Sequence, residues 1–232
     1  MKTETRLTGT NAREKAYLIL REKIINLELK PGEVLNDKIL AEQLEMSRTP
    51  VHEALIILST ADMVVLKPQT GTFVAPIDVG RMEIEQFIRL ALEKEIITRA
   101  CKMGLTDEMC WYYEENMRAY KHYSNLSDLP DRGQRLLKLD NDFHRLAFQV
   151  TGLEDSYEVM FSRMQHIERM RMLSLIQLKQ NVNIDDHTEI FEAIKTKNLD
   201  RAIKRLETHL VRYREDLKLV QEHYPEFFSL NT

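Results

Sequence analysis

The sequence predicts a mainly α protein with two domains: three helices and a β-hairpin first, then an antiparallel all-helical bundle. A length of 232 residues is enough for two hydrophobic cores. Only 7 Gly and 6 Pro are present, too few for a loop-rich all-β chain. Apolar residues recur at helical spacing along most of the chain, and β-branched runs are confined to one short stretch. We place the domains at residues 1–77 and 78–232, joined at Pro76-Ile77-Asp78.

Helix caps and breakers divide the first domain into elements. The first helix stops at Pro31-Gly32, Asn36 or Asp37 caps the second, and Ser47 caps the third. Two β-branched or aromatic runs then flank a turn in which Gly71 supplies the conformational freedom. The predicted helices span residues 12–29, 36–46 and 47–61, and the strands span 64–66 and 72–74. Three helices followed by a hairpin predict a winged helix-turn-helix.

The second domain has no strand signal. Helical periodicity predicts helices at residues 78–104, 106–123, 134–150, 154–180, 185–195 and 200–222. Short loops between them are typical of an antiparallel bundle. We interpret the methionines of the fourth helix as core or dimer surface, and its charged residues as a solvated or interfacial face; they are Met160, Met164, Met170, Met172, Arg163, Glu168, Arg169 and Arg171.

Charge and hydropathy bound the class of protein. The net charge is −4, and the first domain carries equal numbers of basic and acidic residues, so any nucleic-acid contact depends on where a few cations lie. No apolar run is long enough for a membrane span, and the N-terminus lacks the apolar core of a signal peptide. We therefore expect a cytoplasmic protein without membrane contact. Cys101 and Cys110 are expected to be reduced packing residues.

The second and third helices have the spacing of a DNA-reading helix pair. The tight turn between them presents Ser47, Arg48, Thr49 and His52 near the start of the third helix, where side chains and free amides can meet base edges and phosphates. An arginine there can pair with guanine through two hydrogen bonds. The alternative is an ordinary helix start with a solvated arginine.

The whole ordered string, however, resembles the winged-helix module of the GntR family of bacterial regulators. The matching residues are Pro31-Gly32, Leu35, Leu40-Ala41-Glu42, Leu44, Ser47-Arg48-Thr49-Pro50-Val51, Glu53-Ala54-Leu55 and Gly71-Thr72-Phe73-Val74. The resemblance implies that Lys38 and Gly71 also approach DNA, and that the partner is double-stranded operator DNA with an inverted repeat. The family usually has Arg where this chain has His52, and a Glu-Gly pair near Ala61-Asp62.

Four residues of the second domain form a candidate metal site. Asp140 and His144 lie four apart on one helix and therefore share a face. His187 lies early in one helix and His209 late in the next, and an antiparallel pair brings such positions to one level. Three imidazoles and a carboxylate suit Zn²⁺ or Ni²⁺. For each histidine alone, a packed core or surface residue is the alternative.

These positions, with Arg89-Leu90-Ala91-Leu92-Glu93, resemble the helical ligand-binding domain called FCD, the sensor half of one GntR subgroup. The resemblance implies a bundle of six or seven helices, a homodimer, a divalent metal on Asp140, His144, His187 and His209, and a small organic acid as effector. It places Arg89 at the effector pocket, where its guanidinium could grip a carboxylate. The alternative is an ion pair between Arg89 and Glu93, also four apart.

These features together predict a transcription regulator, specifically a repressor, rather than an enzyme. A metal-dependent hydrolase is one alternative, but its general base often follows a ligand directly, and Arg145, Thr188 and Leu210 occupy those places. Glu189 is the nearest substitute. A metal-free sensor of acyl groups is the other alternative, and it would leave four aligned ligands without a purpose.

Overall fold

The computed structural model describes residues 11–177 and 182–229 and divides the chain into two compact units. One unit ends at Asp78 and also contains the C-terminal segment from Tyr224, and the other is Val79–His223. The first unit contains α1 (Ala12–Ile25), β1 (Val34–Leu35), α2 (Asp37–Gln43), α3 (Arg48–Thr60), β2 (Val64–Lys67) and β3 (Gly71–Val74). This is the predicted winged helix-turn-helix.

Strand β1 was not predicted from the sequence. It pairs with β3 in antiparallel register, Val34 opposite Phe73, and gives a three-stranded sheet of order β1-β3-β2. A strand of two residues is too short to show the alternation by which strands are recognised.

Helix α1 ends four residues before the predicted Leu29. The chain turns at Leu27, which has a φ of 60°, and the N–H groups of Glu28 and Leu29 both donate to the carbonyl of Lys23. Leu27 and Leu29 nevertheless remain buried. The apolar pattern therefore continues beyond the helix because the turn itself packs into the core.

The second unit is all helical in the described ranges. It contains α4 (Val79–Met103), α5 (Asp107–Ser124), α6 (Arg132–Val150), α7 (Glu154–Phe161), α8 (Gln165–Gln177), α9 (Val182–Lys195), α10 (Leu199–Val211) and α11 (Tyr213–His223). The six predicted helices are present, and two of them are each interrupted once. The predicted end of the fourth helix at Gln180 lies outside the described residues.

The interruption between α7 and α8 depends on a side chain from another helix. The carboxylate of Glu85 on α4 accepts hydrogen bonds from the backbone N–H groups of His166 and Ile167, at 2.9 Å each for Oε2. Glu85 thus satisfies donors that a continuous helix would pair internally. The hydrophobic periodicity of a helix cannot reveal a partner that lies about 80 residues away in the sequence.

The charged residues of α8 are not solvated. Glu168 and Arg169 are buried, and Arg171 is largely buried, so the prediction of a solvated or interfacial face is wrong for these three. The methionines Met160, Met164, Met170 and Met172, interpreted as core or dimer surface, are buried and belong to the core.

The C-terminal segment packs against the end of the first unit. The N–H of Ile77 donates to the carbonyl of Phe227 at 2.8 Å, and the N–H of Ser229 donates to the carbonyl of Ile77 at 2.9 Å. Phe228 forms a parallel β-bridge with Ile77, and both side chains are buried. The last described residues of the chain therefore complete the core beside the linker.

Truncation of Phe228 to Ala should destabilise the first unit by about 3–5 kcal/mol, because a buried aromatic side chain is replaced by a cavity. Amide hydrogen exchange at Ile77 reports the effect locally and should become faster. Glu226→Ala, which alters an exposed neighbour, is the control. Equal exchange at Ile77 in both variants would show that the C-terminal segment does not stabilise the linker.

Candidate metal centre and nucleic-acid interface

Four side chains from three helices converge in the interior of the second unit. Asp140 and His144 come from α6, His187 from α9 and His209 from α10, and all four are buried. One donor atom from each lies within 4.8 Å of all the others. The geometry therefore brings together the four residues that the sequence singled out.

The spacing of the donor atoms suits a single metal ion. Nε2 of His144 lies 3.1 Å from Nε2 of His209, and Nε2 of His187 lies 3.2 Å from Oδ1 of Asp140. Two ligands bound at right angles, each about 2.1 Å from one ion, are separated by about 3 Å.

Both ring nitrogens of His187 lack a hydrogen bond of acceptable geometry although they are fully buried, despite the nearby Asp140 oxygen. A buried polar atom without a partner costs free energy, and a metal bond would satisfy it. The donor set therefore fits a divalent metal.

Two carboxylates orient the imidazoles of the cluster. Glu93 on α4 contacts Nδ1 of His144 at 2.7 Å, and Asp186 on α9 contacts Nδ1 of His209 at 3.3 Å. A carboxylate on the outer ring nitrogen fixes the tautomer and leaves Nε2 available as a ligand. Arg212 in turn holds Asp186 at 2.6 Å.

Arg89 takes part in the same network. Its Nε donates to Glu93 at 2.7 Å, and its Nη2 lies 4.0 Å from Oδ2 of Asp140. The ion pair expected as the alternative is therefore present, and the guanidinium lies beside the cluster of Asp140 and the three histidines.

Burial and neighbouring charges shift the pKa values of residues in and beside the cluster. Burial raises the pKa of Glu93, but the neighbouring His144 and Arg89 outweigh burial and hold this pKa at about 2. Burial likewise opposes ionisation of Asp140, yet Arg171 and the histidines keep its pKa well below the ordinary value. Burial lowers the pKa of His187 to about 4, so its ring is neutral at pH 7. Ionised carboxylates and neutral imidazoles are the forms that bind metal.

The predicted DNA-contacting residues lie at the start of α3 and on neighbouring elements. Arg48 is exposed, and its Nε lies 2.9 Å from Asp37. His52 is exposed one turn later, with Nδ1 3.5 Å from the same carboxylate.

Ser47 occupies the N-cap without a side-chain capping bond, so its hydroxyl is not used by the helix. Thr49 follows Arg48 in α3, and Lys38 lies in the first turn of α2, where its N–H bonds Asn36.

Gly71 begins β3 after a turn with left-handed backbone at Gln69, and it has a φ of 133° itself. A β-carbon there would be strained, so glycine suits the tip of the hairpin.

Comparisons with known proteins match a family model to each of the two domains. The family model "Bacterial regulatory proteins, gntR family" matches residues 12–74, and the model "FCD domain" matches residues 86–212. The chain belongs to the GntR family, with an FCD domain. GntR-family regulators bind DNA, and their FCD domains bind effectors.

Relatives of this GntR protein are transcription regulators. The HTH-type transcriptional repressor RspR of Escherichia coli K12 is 26% identical over 99% of each chain. A regulator from an unstable DNA locus of Streptomyces ambofaciens is 29% identical over 95% of this chain and 91% of its own. These relatives are regulators and not enzymes, in agreement with the prediction.

A solved structure, E. coli McbR/YncC, has the same fold with a TM-score of 0.73 at 20% identity, covering 93% of this chain and 99% of its own. In the ranges described, this GntR protein has no helix that is long and apolar enough to cross a membrane.

Two residues of the network, Asp186 and Arg171, were not predicted from the sequence. Asp186 precedes a predicted ligand, but a carboxylate that orients His209 has no short-range signal. Arg171 was assigned to a solvated or interfacial face, yet it forms an ion pair with Asp140 and with Glu168. Only the tertiary arrangement places α8 against the cluster.

The metal-free protein should lose stability in acid because of His187. Its pKa is about 4 when folded and 6.5 in an unperturbed chain, so between these values only the unfolded state gains a proton. The free energy of unfolding should fall as the pH drops from 6.5 to 4, by roughly 3 kcal/mol for this group.

Urea denaturation of chelator-treated protein across this pH range measures the effect. His187→Gln should flatten the dependence, and the control His122→Gln, at an exposed position, should leave it unchanged. The same slope in all three proteins would contradict a buried neutral His187.

Proposed function

We propose that this GntR-family protein is a repressor whose affinity for operator DNA is controlled by a small carboxylate bound at a divalent metal ion. Asp140, His144, His187 and His209 would hold the ion, with Zn²⁺ or Ni²⁺ the best matches to the donor set. Residues 1–77 would bind DNA, and residues 78–232 would bind metal and effector and form a homodimer. The decisive support is the convergence of four buried donors, two of them on rings oriented by carboxylates.

Each part of the network has a distinct task in this proposal. A bound divalent ion supplies positive charge and an open position for a carboxylate oxygen. Glu93 and Asp186 keep Nε2 of His144 and His209 directed into the cluster. Arg89, held by Glu93, adds a guanidinium for the effector's second oxygen.

The hydrolase alternative has little support. Glu189, the nearest substitute for a general base, pairs with Arg201 at 2.6 Å on the surface of the bundle. The metal-free acyl sensor does not account for the carboxylates placed behind two of the four ligands.

DNA recognition would depend on Ser47, Arg48, Thr49 and His52 at the start of α3, with Lys38 and the wing tip at Gly71 beside them. Asp37 would pre-orient Arg48 for a bidentate contact with guanine, because its Oδ2 contacts Nε of Arg48 at 2.9 Å. The same oxygen lies 3.5 Å from Nδ1 of His52. A dimer would present two such helices to an inverted repeat.

Arg48→Ala should weaken specific operator binding roughly 10- to 100-fold, because a contact with a base edge is lost. Binding to a generic duplex should change little. Fluorescence anisotropy at fixed salt compares the two DNAs, since phosphate contacts make affinity depend on salt. The control is Lys23→Ala, which removes a basic residue of α1 that forms an ion pair with Glu28. An equal loss on both duplexes would mean that Arg48 contacts only phosphate.

His209→Gln should remove stoichiometric metal and, with it, the response of operator affinity to the effector. A typical coupling free energy changes affinity about 5- to 150-fold at saturating ligand. The measurements are elemental analysis and operator titration with and without each acid of a panel of small carboxylates. His223→Gln, at an exposed histidine of α11, should behave as the unchanged protein does. Unaltered metal content in His209→Gln would contradict the proposed site.

A further inference from the structure

Arg171 lies at the centre of a polar frame beside the metal cluster. Its Nη2 donates to Oδ2 of Asp140, and its Nη1 donates to Oδ1 of Asn141 at 2.7 Å and to Glu168. Asn141 also donates to Oε2 of Glu168 at 2.7 Å. The guanidinium is therefore fixed in position by three side chains, two from α6 and one from α8.

A small cavity adjoins this frame. Its polar lining consists of Arg89, Asn141, Glu168 and Arg171, and its remaining lining of Tyr157, Met160, Phe161 and Met164. Its space corresponds to about one water molecule, so a larger ligand requires side chains to move. Methionine suits this because its unbranched chain adapts at low cost. The cavity thus combines two guanidinium groups with an adaptable apolar wall.

The charges around the cavity indicate how many anionic groups fit. Glu93, Asp140 and Glu168 are opposed by Arg89 and Arg171, which leaves one negative charge; Asp186 is balanced separately by Arg212. Because histidine binds a metal through a neutral ring, a divalent ion held by these ligands would change this excess to one positive charge. Buried net charge is costly, so a single anionic group restores the balance.

We propose that Arg171 is a ligand-binding residue that, together with Arg89, binds the single carboxylate of a small monocarboxylate. The apolar body of this ligand packs against Met160 and Met164. The inference rests on the proposed metal-dependent sensor and specifies its ligand class.

Isothermal titration of zinc-loaded protein with butyrate, in the absence of DNA, tests the assignment. Arg171→Gln should weaken butyrate binding at least about tenfold, because a charged hydrogen-bond donor is lost. Arg99→Gln, which removes an arginine paired with Glu95 on the surface, should bind butyrate as the unchanged protein does. Arg171→Lys keeps the charge and loses the planar guanidinium, so its butyrate affinity should lie between those of Arg171→Gln and the unchanged protein. This variant also tests the assignment if Arg171→Gln does not fold.

Succinate is the matched probe for charge, since it replaces the methyl group of butyrate with a second carboxylate. It should bind the unchanged protein at least about tenfold more weakly than butyrate, because the second charge would be buried without a partner. Equal butyrate affinity in Arg171→Gln, tighter binding of succinate, or no binding of butyrate by the unchanged protein would each overturn the proposal.

Zinc content of the variants separates this result from failure of the proposed function. Arg171→Gln should retain stoichiometric zinc, so that its defect lies in the carboxylate subsite and not in the metal site. Because the titration contains no DNA, its outcome is also independent of whether a ligand changes operator affinity.

Discussion

The buried carboxylate of Asp140 is the constraint on which the interior of the second unit depends. An ionised carboxylate removed from water is tolerated only when positive charge and hydrogen bonds compensate for its desolvation. Arg171 supplies positive charge and a hydrogen bond directly, and the guanidinium of Arg89 lies 4.0 Å away. Each compensating group then needs a partner of its own, which extends the network to Glu93 and Glu168.

This requirement explains why the charged residues of α8 lie inside the bundle. Arg171 reaches Asp140 only if α8 packs against α6, and the two helices are in contact. Glu85 on α4 holds the N-terminus of α8 and thereby sets where that helix begins. The break after α7 is therefore connected to the geometry of the cluster, since a continuous helix could not use Glu85 as its cap.

Much of the fold and the core of the candidate site follow from local sequence patterns. Periodicity and capping residues predict the winged helix-turn-helix and the helices of the bundle, and helical spacing brings Asp140 next to His144. Histidines early and late in an antiparallel pair meet, as His187 and His209 do. Such predictions succeed because they depend on residues a few positions apart or on one helix pair.

Two of the missed features, the buried charges of α8 and strand β1, depend on partners distant in sequence, and the third is a local turn. The charged residues of α8 have the pattern of a solvated face, because no residue within a few positions of Arg171 indicates that it pairs with Asp140. The early end of α1 is hidden because Leu27 and Leu29 are buried without being helical. A two-residue strand such as β1 is defined by its pairing with β3 and by nothing in its own composition.

The path of the chain relates the cluster to the DNA-binding unit. The backbone passes between the two units after Asp78 and again after His223, and the segments beside these crossings are hydrogen-bonded to each other through Ile77 and Phe227. Helix α4, which follows the first crossing, carries Glu93. Helix α11, which precedes the second, contacts α8 and hence the helix of Arg171.

A ligand changes DNA affinity only if it binds two states of the protein with different affinity, so its contacts must differ between them. Arg89 on α4 and Arg171 on α8 meet at one cavity. Under the proposed function, a carboxylate held between them would restrain α4, which follows the linker directly, and α8, which contacts α11. The two covalent connections would then give a change at the cavity a physical route to the linker of the DNA-binding unit.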